Sequence, residues 1–324
     1  MAKVLLGQVD PVLLAGFLYL GSGSGLALWW GLRTQRHSGA AQEANLKRAD
    51  LPWLIGAILA GGVFGPMLLM TGLSVTPASS ASLLLNLEGV FTATLAWFVF
   101  KEHFGRRIVL GMVAITAGGL LLSWAGQPEL DMPWGAMVII GSCLAWAVDN
   151  NLTRKISAGD PLQIVAAKGI VAGTVNLAIA LTAGATIPKV PTVVAAAVVG
   201  FLGYGVSLVL FVLALRHLGT ARTGAYFSSA PFIGAALSIL ILGDRLTVHF
   251  VVAAVLMGSG VWLHFTERHA HEHWHKSLGH DHRHVHDEHH QHGHREESHS
   301  HFHTHGEVLH AHPHYPDLHH RHGH

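Results

Sequence analysis

The 324-residue chain is short of what a water-soluble domain uses. Only 12% of its residues are charged and half are hydrophobic, whereas soluble domains devote about a quarter of their residues to Asp, Glu, Lys and Arg. A single cysteine, Cys143, excludes an internal disulfide framework and a cysteine-based zinc ribbon. There is no GxxxxGK[ST] loop and no Ser/His/Asp context. Nucleotide-driven pumping and enzymatic chemistry are therefore disfavoured; no catalytic residue is expected and no cofactor is required. No nucleic-acid partner is expected either, since the formal net charge is only +1.

What is present divides into two materials. Up to Phe265 there are 15 Lys/Arg against 10 Asp/Glu and five histidines; from Thr266 onward there are 5 against 9, with the other 23 histidines. The first part is apolar enough for a bilayer, and the second has almost nothing from which to build a core.

A helix needs about 20 mostly apolar residues to cross the hydrocarbon core. Nine such segments are legible, at 11–32, 52–73, 78–100, 106–125, 133–152, 162–184, 191–215, 222–243 and 248–266. The expected fold is therefore all-α and integral to the membrane, with the lipid bilayer as an obligatory partner. Small residues fill many interior positions, as in Gly61-Gly62-Val63-Phe64-Gly65, which suits close packing in lipid. With alternate loops assigned to one side, eleven basic residues fall on one face of the membrane and three (Lys3, Lys189, Arg245) on the other. The positive-inside rule then predicts a multi-pass protein of the inner (cell) membrane with a cytoplasmic C-terminal tail and an external N-terminus.

The chain also repeats itself. Lys3 to Pro11 resembles Lys155 to Pro161, each opening a helix at an Asp-Pro pair. The run from Ala78 to Phe104 resembles that from Thr220 to Leu246, and each closes on an acid, Glu102 or Asp244. Glycine-bearing helices follow, at Gly118-Gly119 and Gly258-Ser259-Gly260. With these features, including the Lys101-Glu102 and Gly243-Asp244 pairs, the sequence resembles the EamA-type permeases of the drug/metabolite transporter superfamily. The resemblance spans residues 3 to about 266. It implies two five-helix repeats of inverted topology, over 1–126 and 127–266; composition makes 267–324 a disordered His-rich segment. It further implies secondary-active transport, as a probable exporter, of a small molecule or ion. Against this pattern the first repeat holds four helices rather than five. The repeat leads us to expect a further helix encoded ahead of Lys3.

Charges within spans are costly and mark candidate sites. Glu88 lies deepest, with Asn86 two residues before it; its carboxylate would hold a cation or exchange a proton. Lys168 is the other deep charge of opposite sign, and complementarity alone suggests a Glu88–Lys168 pair, with Lys168 snorkelling to the headgroups as the competing reading. Asp149, with Asn150 and Asn151, suggests a polar vestibule. Tyr226, together with Tyr204, Ser228, Ser229 and Pro231, is a candidate for the pathway from the second half. Glu102 and Asp244 read as boundary residues, and Trp29, Trp30, Trp53, Trp124 and Trp134 as an interfacial belt.

The tail places histidines at alternate positions: His269, His271, His273 and His275; His280, His282, His284 and His286; His301, His303 and His305, among others. In an extended chain, residues two apart share a side, and neutral imidazole suits Zn, Ni, Co and Cu. Metal-binding by the tail is expected, which makes a divalent metal ion, or a metabolite whose export is metal-regulated, the sharpest substrate expectation. The alternative is a membrane-anchored metal-binding or sensing protein whose helices only position the tail. A homodimer is a further possibility.

Overall fold

The computed structural model describes residues 1–36, 46–100, 106–124, 134–266 and, in the tail, 270–275, 278–284, 299–305 and 308–313. After a short helix α1 (Ala2–Leu5), the Asp10-Pro11 pair opens α2 (Pro11–Arg36). Proline tolerates the first helical turn, where its missing N–H would be unpaired anyway. The Asp10 carboxylate accepts the free N–H groups of Val12 and Leu13 at 2.9 and 3.1 Å. The second Asp-Pro pair behaves alike: Asp160 accepts from Leu162 N–H at 2.9 Å and starts α9 (Pro161–Thr182).

Between them run α3 (Leu51–Ala57), α4 (Gly65–Val75), α5 (Ala78–Leu84), α6 (Leu87–Phe100), α7 (Arg106–Trp124) and α8 (Trp134–Ile156). After α9 come α10 (Val190–Gly200), α11 (Ser207–Phe227), α12 (Ala230–Leu242) and α13 (Val248–Phe265). Seven of these helical segments are long and apolar enough to cross a membrane: Pro11–Arg33, Arg48–Val75, Ala78–Val99, Trp134–Ile156, Pro161–Thr182, Val190–Arg216 and Val248–Phe265. Ala230–Leu242 is apolar but only 13 residues long, because the segment expected over 222–243 is interrupted within its length.

Four interruptions shape the bundle. The helix over 48–75 winds as a π-helix at Ile58–Phe64, and that over 190–216 does so at Phe201–Val206. The segment over 78–99 breaks at Leu85-Asn86, and the one over 207–242 at Ser228-Ser229. Ile58 and Phe201 lie 143 residues apart, as do Leu85 and Ser228. This is within one residue of the offset between the two similar sequence runs.

Apolar burial and glycine contacts hold the helices together. Leu13, Leu14, Leu18, Met70, Leu83 and Ile139 are fully buried, whereas Leu240, Val248 and Leu210 point outward, as side chains facing lipid do. Helices α2 and α9 meet through Gly16 and Gly23 on one and Gly169 and Gly173 on the other: a Cβ on Gly23 would run into the Ile170 backbone, and one on Gly173 into that of Leu20. Such close backbone approach supplies the dispersion contact that replaces the hydrophobic drive in lipid.

The tail, expected to lack regular structure, forms antiparallel strand pairs over part of its length: β1 (Ala270–His275) with β4 (Val308–Pro313), and β2 (Leu278–His284) with β3 (His299–His305). A backbone ladder needs no apolar side chains to form its hydrogen bonds. His280, His282 and His284 stand opposite His303, His301 and His299; His271 and His273 stand opposite His312 and His310. The expected ligands His269 and His286, like Glu102, lie outside the described residues.

Candidate functional site

The break at Leu85-Asn86 puts Glu88 in the first turn of α6, midway along the Ala78–Val99 segment. A helix start carries free N–H groups and the positive end of the helix dipole, which favour a carboxylate there. Glu88 is partly exposed, and Asn150 of α8 donates to its Oε1 at 2.7 Å. The same amide lies 3.3 Å from the hydroxyl of Thr92, one turn further along α6. Asn151 donates to the Thr92 and Ala147 carbonyls at 3.2 and 2.9 Å.

Asp149, one residue before Asn150, belongs to a different cluster. Successive residues of an α-helix lie about 100° apart around the axis, so Asn150 faces α6 while Asp149 faces α9. There Lys168 donates to both Asp149 oxygens, at 2.6 and 2.8 Å, and lies 3.2 Å from the hydroxyl of Thr153. Thr153 sits on the Asp149 face, one turn later, and donates to Asp149 Oδ1 at 2.8 Å. The lysine and the aspartate are 3% and 6% exposed. The expected Glu88–Lys168 pair is therefore not formed: three acceptors from α8 take up the three N–H groups of the ammonium. Nor does Lys168 snorkel to the surface.

The ion pair rests on the first π-helical stretch. Asp149 occupies the space that a Cβ on Gly61 would need. π-winding disturbs the regular i→i−4 ladder and leaves carbonyls open to other donors. Gly61 C=O accepts from the Tyr19 hydroxyl (2.7 Å) and the Trp146 indole (2.9 Å), Gly62 C=O from Asn176 (3.0 Å), and Gly65 C=O from Ser142 (2.7 Å). Tyr19 in turn lies against Tyr204 of the second π-helical stretch, ring centroids 5.1 Å apart. The second break comes close to α6, with Ser228 Oγ 3.5 Å from where a Cβ of Gly89 would stand.

The remaining candidates fall as follows. Asn86 is buried at the break and donates to Leu83 C=O at 3.1 Å, and among the described residues its Oδ1 has no donor. Tyr226 is 58% exposed and stacks edge-on against Phe265. Asp244, at the end of α12, accepts from the Ser79 N–H and the Ser238 hydroxyl, both at 2.8 Å. Thr92, Thr153, Tyr19 and Trp146 were not singled out in the sequence. The four-residue spacings Glu88–Thr92 and Asp149–Thr153 were the available signal for two of them.

Among known proteins, the chain is 27% identical over 273 residues to a protein of Methanothermobacter thermautotrophicus named a transporter, covering 81% of this chain and 80% of that one. It is 26% identical over 206 residues to a probable amino-acid metabolite efflux pump of Salmonella typhimurium, covering 58% and 67%. A solved crystal structure shares the fold with a TM-score of 0.60 at 18% identity, over 81% of this chain and 89% of that one. The EamA-like transporter family matches residues 1–124 and 133–266. With the helical bundle and its interrupted spans, these matches place the chain in the EamA-like transporter family.

Proposed function

We propose that this chain is a secondary-active exporter of a small organic solute, and that the solute is handled where the breaks in the helices over 78–99 and 207–242 face one another. The carrying observation is the placement of Glu88: a carboxylate in the first turn of an interrupted helix, midway along an apolar span and held by a neutral amide. Interrupted helices at the midplane, recurring at corresponding positions of two repeats, are how secondary transporters build solute sites. In this reading the nine apolar segments form two halves of inverted topology, 1–126 and 127–266, that rock around Glu88. The basic loops and the tail face the cytoplasm of the inner membrane.

The chemistry of the site points to the solute class. Glu88 offers an anionic acceptor, and the Ser228-Ser229 break opens the N-terminus of α12. An amino-acid-type metabolite, with an ammonium for the first and a carboxylate for the second, matches that arrangement, and the Salmonella relative's name supports it. The tail is assigned a separate role: cytoplasmic binding of Zn, Ni, Co or Cu through its paired histidines.

Purified full-length protein in lipid vesicles tests the reading. Labelled L-threonine and L-lysine are expected to equilibrate across the bilayer faster than in empty vesicles, and Glu88→Gln is expected to remove that excess. Vesicles indistinguishable from empty ones across an amino-acid panel would count against it.

A further inference from the structure

The histidines of the tail fall into register across its strands. In β2–β3, His280 pairs with His303, His282 with His301 and His284 with His299. In β1–β4, His271 pairs with His312 and His273 with His310. Successive strand residues belong to opposite faces, so these positions, together with His275 and His305, put every histidine of the four strands on one face of its strand pair. The other face of β2–β3 belongs to Gly279, Asp281, Arg283, Ser300, Phe302 and Thr304. A slip of one residue would send the histidines of one strand to the face opposite those of its partner.

This register matters for metal chemistry. Directly opposed residues of an antiparallel pair have Cβ atoms about 4.5–5.5 Å apart, and the next rung on the same face lies about 6.8 Å along the strand. An HxH unit within one strand offers two imidazoles. Two neighbouring rungs offer four, the number that a closed tetrahedral Zn site takes. The ladder also lacks another source of closing energy. An isolated two-stranded hairpin is marginal in water, and the face of β2–β3 without histidines has one large apolar residue, Phe302. Where a site is assembled from separate segments, the free energy of metal binding becomes folding free energy.

We propose that the tail holds two cross-strand sites for a divalent transition-metal ion, one made by the rungs His280–His303 and His282–His301, the other by His271–His312 and His273–His310. Each ion ties together two segments that are distant in the chain, so that metal loading closes the tail into a hairpin. The inference rests on the metal-binding reading of the tail above and adds which histidines share an ion. It also brings in His303, His310 and His312 as partners of residues that local HxH spacing would treat as separate sites.

The test uses full-length protein in detergent with Zn(II) alone as the probe, the bound ions counted by competition with a chromophoric chelator. Three sets of His→Asn substitutions are compared: His280, His282 and His284; His299, His301 and His303; and all six. Either set of three should lose about one ion, and all six should lose no more, because both strands serve the same four-coordinate ion. A second measurement reads the geometry: spin labels on Gly279→Cys and Thr304→Cys, opposed in the ladder, in a Cys143→Ala background. Zn(II) should produce dipolar broadening between them, and His301→Asn/His303→Asn should prevent it. Ion losses that add up in the six-fold variant, or broadening that Zn(II) does not change, would overturn the cross-strand sites while leaving a metal-binding tail intact. A full-length chain that binds no Zn(II) would overturn both.

Discussion

Lys168 donates to both carboxylate oxygens of Asp149, at 2.6 and 2.8 Å, with the two side chains almost sealed from solvent. The pair ties α8 to α9 and, through Gly61, to the first π-helical stretch. Removing one member of such a pair leaves an uncompensated buried charge, at a cost of about 3–5 kcal/mol, whereas replacing both can be nearly neutral. Lys168→Met alone is expected to abolish monodisperse elution in detergent, and Asp149→Asn/Lys168→Met to recover much of it, as read by fluorescence-detected size exclusion. A single substitution as well behaved as the double would refute the assignment.

Glu88 and Lys168 belong to separate clusters, and separate clusters contribute additively. The losses from Glu88→Gln and Lys168→Met, measured as thermal midpoints in detergent, should sum in the double variant. Glu88→Gln and Asn150→Ala share a hydrogen bond and should show a coupling of about 0.5–3 kcal/mol.

Gly61 and Gly203 form a natural control. Each sits in a π-helical stretch, but a Cβ at Gly61 collides with the Asp149 carboxylate, while one at Gly203 meets nothing within 4 Å. Gly61→Ala is expected to cost about 1–3 kcal/mol of stability through overpacking, and Gly203→Ala close to nothing. Equal midpoints for the two would contradict this packing.

At Asp244, burial raises the carboxyl pKa, but hydrogen bonds from Ser79 and Ser238 and the charge of Lys3 more than offset it, holding the group below its usual range. Lys3 meanwhile donates to the carbonyls of Leu73, Ser74 and Thr76 at the end of α4. A carboxyl depressed on folding contributes stability that is complete above its unfolded pKa, about 4, and is lost as pH falls through the lower folded value. Asp244→Asn should therefore flatten the acid limb of the stability profile, moving midpoints at neutral pH but converging with the parent under strong acid. Parallel profiles would argue against this role.

The tail prediction is independent of the bundle. Full-length protein is expected to bind several Zn or Ni ions per chain, displaceable at low pH as imidazole protonates, and deletion of 267–324 should remove them, by elemental analysis after gel filtration. Metal retained by the truncated chain would move the site into the helices.

Much of the organisation was legible without coordinates, because it rests on local rules. Spans follow from the length of apolar runs, their starts from the Asp-Pro pairs at 10–11 and 160–161, and the depth of Glu88 from counting along its helix. Partnership did not, because it depends on which face of a helix each residue occupies and on which helices are neighbours. Asp149 and Asn150 are adjacent in the chain yet serve different clusters, since one step around a helix turns the side chain by roughly 100°. Lys168 looked complementary to Glu88 as a charge; the turn joining α8 to α9 instead brought it to Asp149. The two π-helical stretches were visible only as glycine-rich runs, and folding decided that the first would have its carbonyls capped by Tyr19, Trp146 and Asn176. Composition determined that the chain lives in a membrane and where its charges are costly. Only the packing of the helices decided that Lys168 is neutralised by Asp149 while Glu88 is held by the uncharged amide of Asn150.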